Sequence, residues 1–389
     1  VKAVHSGFQF SLQGTDGAAR AGVLETPHGP VETPRFMPVG TLGAVKTLSP
    51  EEVAATGASM ILANTYHLYL RPGHEVVREL GRVHSFMRWP GPVLTDSGGY
   101  QVFSLASIRE IRDDGVEFQS HIDGSKHLFT PESVMEIQRA LGADVIMAFD
   151  ECPPGGCSRD VARSANERTL RWLQRCRDRF EELDHEESQQ VEGLPRQALF
   201  PVLQGNVYPD LRREHVRDVR SMGDWVGYGI GGLSVGESKD RMWETLEVLD
   251  PELPADRPRY LMGVGYPEDL LESISRGCDM FDCVAPTRNA RHGTAWTSTD
   301  GQVNLKAARF RLDRGPLDPE CDGPCCTRYD RAYLRHLTVS GEAFAHRLLS
   351  MHNIRFLMRI TEEARRRILD GTFTRWSGDW LERYRAAKG

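Results

Sequence analysis

Eight short apolar runs, each followed by helix-forming sequence, constrain the fold of this 389-residue chain more than any other feature. They are RFMPVG (35–40), SMILAN (59–64), PVLTD (92–96), DVIMAFD (144–150), ALFPVLQG (198–205), VGYGIGGL (226–233), RYLMGVG (259–265) and CDMFDCV (278–284). Runs of this length, apolar on both faces, are what parallel strands covered by helices require. The intervening segments carry helix signals. Ser49-Pro50-Glu51-Glu52 offers an N-cap, a Pro at the first helical position and a Glu three residues on. Thr130-Pro131-Glu132 opens another helix, with Gly142 as its stop. Apolar spacing through Val161, Ala165, Leu173, Cys176 and Phe180 predicts a helix from Val161 to Leu183, followed by a polar linker from Asp184 to Gln190.

Eight strands alternating with helices predict an α/β fold, a (β/α)8 TIM barrel over residues 35–286. Two wide gaps between runs predict insertions after the third and fourth strands. A doubly wound sheet is the rival, but no Gly-rich dinucleotide turn follows the first run. Residues 1–34 read as antiparallel hairpins, with turns at Thr15-Asp16-Gly17 and His28-Gly29-Pro30, that cover the barrel floor. Residues 287–353 read as a small subdomain after the eighth strand, and 354–389 as a C-terminal helix that completes the barrel.

Composition narrows the class. An apolar fraction of 40% with a net charge of −7 excludes intrinsic disorder. No stretch approaches the length of a membrane span, and Val1 to Gln13 has no basic-then-apolar signal, so a cytoplasmic protein is expected. Eight cysteines in a chain this size do not make a disulfide scaffold. Charge is uneven: residues 285–389 hold 19 Lys+Arg against 12 Asp+Glu, a surplus of 7 that leaves −14 on the rest. That is either the footprint of a polyanion-binding end or a solvated helical face.

In a barrel, functional groups sit at the C-terminal ends of strands. Here those ends read Asn64-Thr65-Tyr66-His67, Asp96-Ser97-Gly98-Gly99-Tyr100-Gln101, Asp150-Glu151-Cys152, Gln204-Gly205-Asn206, Gly231-Gly232-Leu233-Ser234 and Asp282-Cys283. Each has a plainer reading, since an Asp after a strand commonly caps a helix and a Gly pair commonly makes a turn. Together they would place Asp96, Asp150 and Asp282 at one mouth. Two carboxylates flanking a reacting centre are the equipment of glycosidic bond chemistry. A third suits a donor pair such as the ring N–H and amine of guanine, and a Gln with a Gly backbone N–H suits a base carbonyl. Tyr100 either stacks on a ring or is an ordinary half-buried tyrosine. Separately, Cys321, Cys325, Cys326 and His352 make up the donor set of a closed structural zinc site. The remaining cysteines, Cys157, Cys176, Cys278 and Cys283 among them, read as buried.

The motifs TDSGGYQVFS (95–104), FDECPP (149–154), QGNVY (204–208), GIGGLSVGES (229–238), LMGVGYPED (261–269) and FDCVAPTRNARHG (281–293) resemble those of the bacterial tRNA-guanine transglycosylase (queuine tRNA-ribosyltransferase) family, in order and over nearly the whole chain. The resemblance implies a (β/α)8 barrel with a zinc-binding subdomain and a pentosyltransferase. It implies exchange of the wobble guanine of tRNAs with GUN anticodons (Asp, Asn, His, Tyr) for 7-aminomethyl-7-deazaguanine (preQ1), in queuosine biosynthesis. Asp282 would be the nucleophile of a covalent intermediate and Asp96 the proton acceptor and donor. Ser97, Gly98, Gly99, Tyr100, Asp150, Gln204, Gly231, Gly232, Leu233 and Met262 would bind the base, with Glu237 on the aminomethyl cation. Gly263, Val264, Gly265, Tyr266, Pro267, Glu268 and Asp269, with Thr287, Arg288, Asn289, Ala290 and Arg291, would contact RNA. Cys152 and Val235 resemble the bacterial rather than the eukaryotic pattern and so imply the small base. A homodimer and one structural zinc per chain are also implied. In the family zinc motif, Cys-x-Cys-x-x-Cys with a distant His, Gly323 falls where the second cysteine should be. Cys325 is expected to substitute; the alternative is a weaker three-ligand site.

Two other readings remain. A retaining glycoside hydrolase predicts Trp platforms at the strand ends, and the tryptophans here lie mostly elsewhere. A non-catalytic tRNA-binding subunit is opposed by the presence of both Asp282 and Asp96.

Overall fold

Each of the eight apolar runs forms a parallel strand, and the strands close into a ring. The computed structural model describes residues 7–105, 109–190 and 196–387. The strands are β1 (Arg35–Gly40), β2 (Ile61–Ala63), β3 (Val93–Thr95), β4 (Val145–Met147), β5 (Ala198–Phe200 and Val202–Leu203), β6 (Tyr228–Ile230), β7 (Arg259–Leu261) and β8 (Met280–Cys283). Every neighbouring pair is parallel, and β8 returns to β1 with Phe281 opposite Phe36. The fifth stave serves its neighbours with separate halves: Leu199 pairs with Ile146 of β4, and Val202 with Gly229 of β6. Pro201 sits at the break. It has no N–H to give a ladder, while its carbonyl accepts from the Gly229 N–H at 2.9 Å.

Inside the ring, Met37, Leu62, Leu94, Met147, Phe200, Tyr260 and Met280 form one buried cluster. Burying a side chain the size of Phe200 contributes about 2–3 kcal/mol. Phe8, Phe10, Leu24 and Val31 join the same cluster from a three-stranded antiparallel sheet, Gln9–Asp16, Ala19–Glu25 and Val31–Thr33. The hairpins therefore plug one end of the barrel. A polar tie adds to this plug. Asp144, fully buried just before β4, accepts from His28 Nδ1 of the hairpin turn at 2.7 Å and from His84 Nε2 at 3.0 Å, and the two imidazoles stack 3.6 Å apart.

The helix signals act as the sequence suggests. Ser49 and Glu52 form a reciprocal capping box on Pro50–Ala55. Thr130 caps Pro131–Leu141, with Ser133 completing the box, and Gly142 stops it at φ 73°, where a side chain would be strained. Two details differ from expectation. The helix that starts at Arg159 runs through to Gln190, so the segment after Leu183 is helix and not linker. Its polar residues keep helical phase because ion pairs replace apolar packing: Arg139 meets Asp184 at 2.8 Å, and Arg82 meets Glu187 at 2.9 Å. Val161 is exposed, and the buried stripe begins instead at Ala162 and Ala165.

After β3 a small antiparallel sheet, Arg109–Ile111, Val116–Gln119 and Lys126–Phe129, is inserted. After β8 come the helix Ala285–Arg291, the hairpin Thr294–Thr297 with Gly301–Asn304, and two short helices, Pro324–Arg328 and Arg331–Val339. The 27-residue helix Ala343–Leu369 then runs unbroken past residues 353 and 354, and Phe373–Ala386 follows. Arg365 on the long helix donates to the carbonyls of Gly22 and Thr33, 2.8 Å each, and so grips the N-terminal hairpins. Among the described residues no helix is long and apolar enough to cross a membrane.

Candidate active site

A cavity of about 420 Å³ opens at the C-terminal ends of the strands, and Asp96, Asp150 and Asp282 all line it. Each carboxylate is held by groups from its own or a neighbouring strand end. Asp96, just past β3, accepts at Oδ1 from the Thr65 N–H at 3.0 Å and the Gly98 N–H at 3.2 Å, and at Oδ2 from Gln101 Nε2 at 3.1 Å and Asn64 Nδ2. Burial lifts its carboxyl to about 7; the Thr65 N–H pulls the other way, and the Asp282 charge adds to the rise. Asp150, past β4, accepts from Gln204 Nε2 at 2.7 Å and Ser97 Oγ at 3.3 Å. Burial lifts it to about 6 against those two donors.

Asp282 lies one residue before the end of β8, half-buried at the wall of the cavity. Its Oδ1 accepts from the Tyr260 hydroxyl at 2.6 Å and the Gly263 N–H at 2.7 Å. Burial raises its carboxyl, and those two donors oppose the rise. Tyr260 itself is pushed well above its ordinary range by burial and by the Asp282 charge, so it stays a hydrogen-bond donor.

The rest of the cavity is a slot suited to a flat polar ring. Gly231 and Gly232 form one edge. A Cβ on Gly231 would stand 2.7 Å from Val202 Cγ1, and one on Gly232 (φ 66°) would collide with Gln204 Oε1, so both positions require glycine. Gln204 Oε1 is buried without a partner, an acceptor left over beside the slot. Tyr100 lies 53% exposed at the mouth, a large ring face open to stacking. Met262, Ser97, Gly98 and Leu233 also line the cavity, as do Cys152 and Val235.

Of the expected RNA stretches, Gly263, Val264, Gly265, Tyr266, Asp269 and Arg288 reach the cavity. Pro267, Glu268, Thr287, Asn289, Ala290 and Arg291 lie beside it, on the helices Pro267–Ile274 and Ala285–Arg291, outside the lining. Gly99 sits behind it, where a Cβ would stand 3.0 Å from the Asp150 carbonyl oxygen. Glu237 stands apart too: its carboxylate accepts from the Ser234 and Val235 N–H groups and does not line the cavity.

Four contributors were not assigned roles by the sequence. Tyr260 is hidden inside an apolar run, next to Arg259 at its start. Asn64 and Thr65 stand at a polar strand end, though nothing in the sequence tells that they grip Asp96. Arg212 sits in a helix that reads as a charged surface, yet it is fully buried. Its guanidinium donates to the carbonyls of Asn206 (2.7 Å), Leu203 (2.9 Å) and Gly231 (2.9 Å), which fixes the slot's glycine edge.

A second cluster lies in the region after β8. Cys321 Sγ, Cys326 Sγ and a His352 ring nitrogen all fall within 4.8 Å of one another, and all three side chains are buried. His352 Nδ1 is 3.2 Å from Cys326 Sγ, while Nε2 donates to the Trp296 carbonyl at 2.7 Å. That carbonyl fixes the tautomer and leaves Nδ1 free to bind a metal. Two thiols and such an imidazole are donors that fit zinc. The expected fourth donor is not among them. Cys325 sits beside the Cys326 thiol but outside the group, buried in the subdomain's apolar cluster. Successive residues of the helix Pro324–Arg328 point about 100° apart, and only Cys326 of the adjacent pair joins the group with His352.

A closed α/β barrel with Asp96, Asp150 and Asp282 lining a cavity at its C-terminal mouth defines the class: a TIM-barrel enzyme. The queuine tRNA-ribosyltransferase family model matches residues 15–386. The queuine tRNA-ribosyltransferase of Desulforamulus reducens is 51% identical over 95% of this chain and 96% of its own length. That of Symbiobacterium thermophilum is 53% identical over 95% and 90%, and that of Geobacillus thermodenitrificans 51% over 94% and 93%. The chain belongs to the queuine tRNA-ribosyltransferase family, whose members are pentosyltransferases.

Proposed function

We propose that this chain exchanges the wobble guanine of tRNAs carrying GUN anticodons (those for Asp, Asn, His and Tyr) for preQ1, by double displacement through Asp282. The observation that carries this reading is the sharing of one cavity by Asp282 and Asp96, with the Asp150–Gln204 pair beside a glycine edge. The wobble nucleotide leaves its stack, at about a few kcal/mol in an exposed loop, and its base enters the slot between Tyr100 and Met262. Asp150 takes the guanine's donor edge, while Gln204 and the Gly232 backbone take its carbonyl.

Asp282 then attacks C1′ of the ribose, and the bond to guanine N9 breaks as the new C–O bond forms, through an oxocarbenium-like transition state, with guanine taking the bond's electron pair and a proton from Asp96. The incoming base gives its ring proton to Asp96 as it attacks C1′ from the opposite side, releasing Asp282. Two inversions restore the β-linkage. Tyr260 and the Gly263 N–H keep Asp282 ionised and aimed. Cys152 and Val235 narrow the slot and favour the small preQ1 over a base with a bulky substituent. Glu237 holds the Ser234–Val235 backbone, so it bears on the aminomethyl cation through the shape of that loop. The stretches 263–269 and 287–291 and the basic surplus beyond residue 284 receive the RNA backbone. The zinc held by Cys321, Cys326 and His352 is structural, supplying cross-linking and no chemistry. A cytoplasmic homodimer belongs to the same reading.

The test is incorporation of labelled guanine into unmodified tRNA with a GUN anticodon, followed by a preQ1 chase. Exchange followed by chase is expected. Folded protein that binds the tRNA without incorporating guanine would favour a binding subunit. Asp282→Asn should abolish exchange with tRNA affinity nearly intact, and undiminished turnover would sink the covalent mechanism.

A further inference from the structure

The zinc reading above leaves one corner of the donor group unaccounted for. Zinc in a structural site takes four donors, and a site with three protein donors keeps an exchangeable position. The residue at that corner is Gly323. A Cβ built there would lie 3.5 Å from Cys321 Sγ and 3.8 Å from Arg355 Cγ, ordinary contact distances with room for a side chain directed at the donors. The backbone, φ −76° and ψ 158°, suits any L residue. Neither strain nor crowding calls for glycine here, unlike at Gly231 and Gly232.

The corner also opens outward. Gly323 is half-buried between the exposed Asp322 and Pro324, whereas Cys325 is 1% exposed. Arg355 flanks the opening, and its guanidinium is braced by Asp322 at 2.8 Å and Glu362 at 2.9 Å. A donor from solvent can reach this position without disturbing the core, whereas Cys325, though beside the Cys326 thiol, lies outside the group of three.

The geometry points to a three-protein-ligand metal site, Cys321, Cys326 and His352, whose fourth coordination position at the Gly323 corner is open to a small monodentate donor from solution. A soft thiolate is the preferred class, with water taking the position otherwise. This rests on the zinc reading of the cluster, and the experiment separates the two.

The test uses the full chain loaded with Co2+ in place of zinc, in reductant-free buffer, titrated with 2-mercaptoethanol and followed by the thiolate-to-cobalt charge-transfer band. Wild type is expected to show a two-thiolate band that gains a third thiolate's share on titration, and Cys325→Ser should behave identically. Gly323→Cys should start with the three-thiolate band, ignore the added thiol, and hold zinc against a chelator about tenfold or more tightly. A wild-type band of three-thiolate strength that drops in Cys325→Ser would overturn the proposal and make Cys325 the fourth ligand. A wild-type two-thiolate band that does not respond to thiol would overturn it as well, whether or not Gly323→Cys folds. No Co2+ or zinc bound, or binding unaffected by His352→Ala, would instead remove the metal reading itself.

Discussion

The Tyr260 hydroxyl donates to Asp282 Oδ1 over 2.6 Å, from a residue on the strand next to the one that carries the carboxylate. Tyr260 is buried and stays protonated, so the bond always favours the ionised acid. Tyr260→Phe removes the stronger of the two groups that oppose burial at Asp282, so its carboxyl should rise further. We expect kcat for guanine exchange to fall about tenfold, the acidic limb of the pH–rate profile to move upward, and KM for tRNA to hold. An unmoved acidic limb would show that the hydroxyl does not tune Asp282.

Asp96, at about 7, is poised to change protonation state at neutral pH. The dependence of kcat/KM on pH should therefore bend near pH 7. Gln101→Leu takes away one donor to the ionised form and should shift that bend upward. A profile flat from pH 6 to about 8 would separate Asp96 from the proton transfer.

Asp150 is held at a cost to the fold. Its folded carboxyl lies near 6, above the ordinary 3.8, so folding takes up a proton between those values and stability declines as pH rises through that window. Asp150→Asn removes the charge, and its amide can donate to the orphaned Gln204 Oε1. Denaturant unfolding should show the variant more stable above pH 6, by on the order of 2 kcal/mol, with the gain vanishing below pH 4. Base exchange should be lost at every pH. A variant equally or less stable at pH 8 would contradict the assigned burial cost.

The His28–Asp144–His84 tie has the opposite sign on its acidic side. Burial pushes the Asp144 carboxyl up, but hydrogen bonds from His28 and His84 outweigh it and hold it at about 2. Its stabilisation is present above the unfolded value of 3.8 and lost as pH falls toward 2. The hydrogen bond to Asp144 raises His28, whose contribution is full below 6.5 and lost as pH climbs through the folded value. Asp144→Asn should therefore cost most between about pH 4 and 6.5, on the order of 2–3 kcal/mol, read as a shift in the urea midpoint. A uniform loss across pH would mean that shape, not charge, matters there.

Arg212→Met leaves the carbonyls of Leu203, Asn206 and Gly231 without their buried donor. A loss of at least about 3 kcal/mol in stability is expected, together with a raised KM for the base and a smaller change in KM for tRNA. An unchanged base KM would mean the glycine edge holds its shape without the guanidinium.

The barrel was legible because its eight staves are apolar on both faces, a pattern that few other folds demand. The polar strand ends were legible for the same reason, since Asp96, Asp150, Gln204 and Asp282 stand where the apolar run stops. What stayed hidden lies where burial contradicts residue type. Arg212 is charged and yet fully enclosed by carbonyls, and Tyr260 carries its polar atom into an aliphatic stretch. The continuation of helix past Leu183 was obscured because ion pairs, not apolar periodicity, hold it. Which cysteine completes the metal corner was not legible from the count alone: Cys321, Cys326 and His352 converge, while Cys325 lies beside the Cys326 thiol but outside that group.

The grip of Arg365 on Gly22 joins residues 343 positions apart. During synthesis the hairpins emerge 343 residues before their clasp. The plug of the barrel can meet the floor residues of the early strands, but it is not locked until Arg365 has left the ribosome. Native contacts this remote are expected to make completion of the fold slow. The half-made barrel, with strand edges unpaired, is then the species that chaperones would have to shelter.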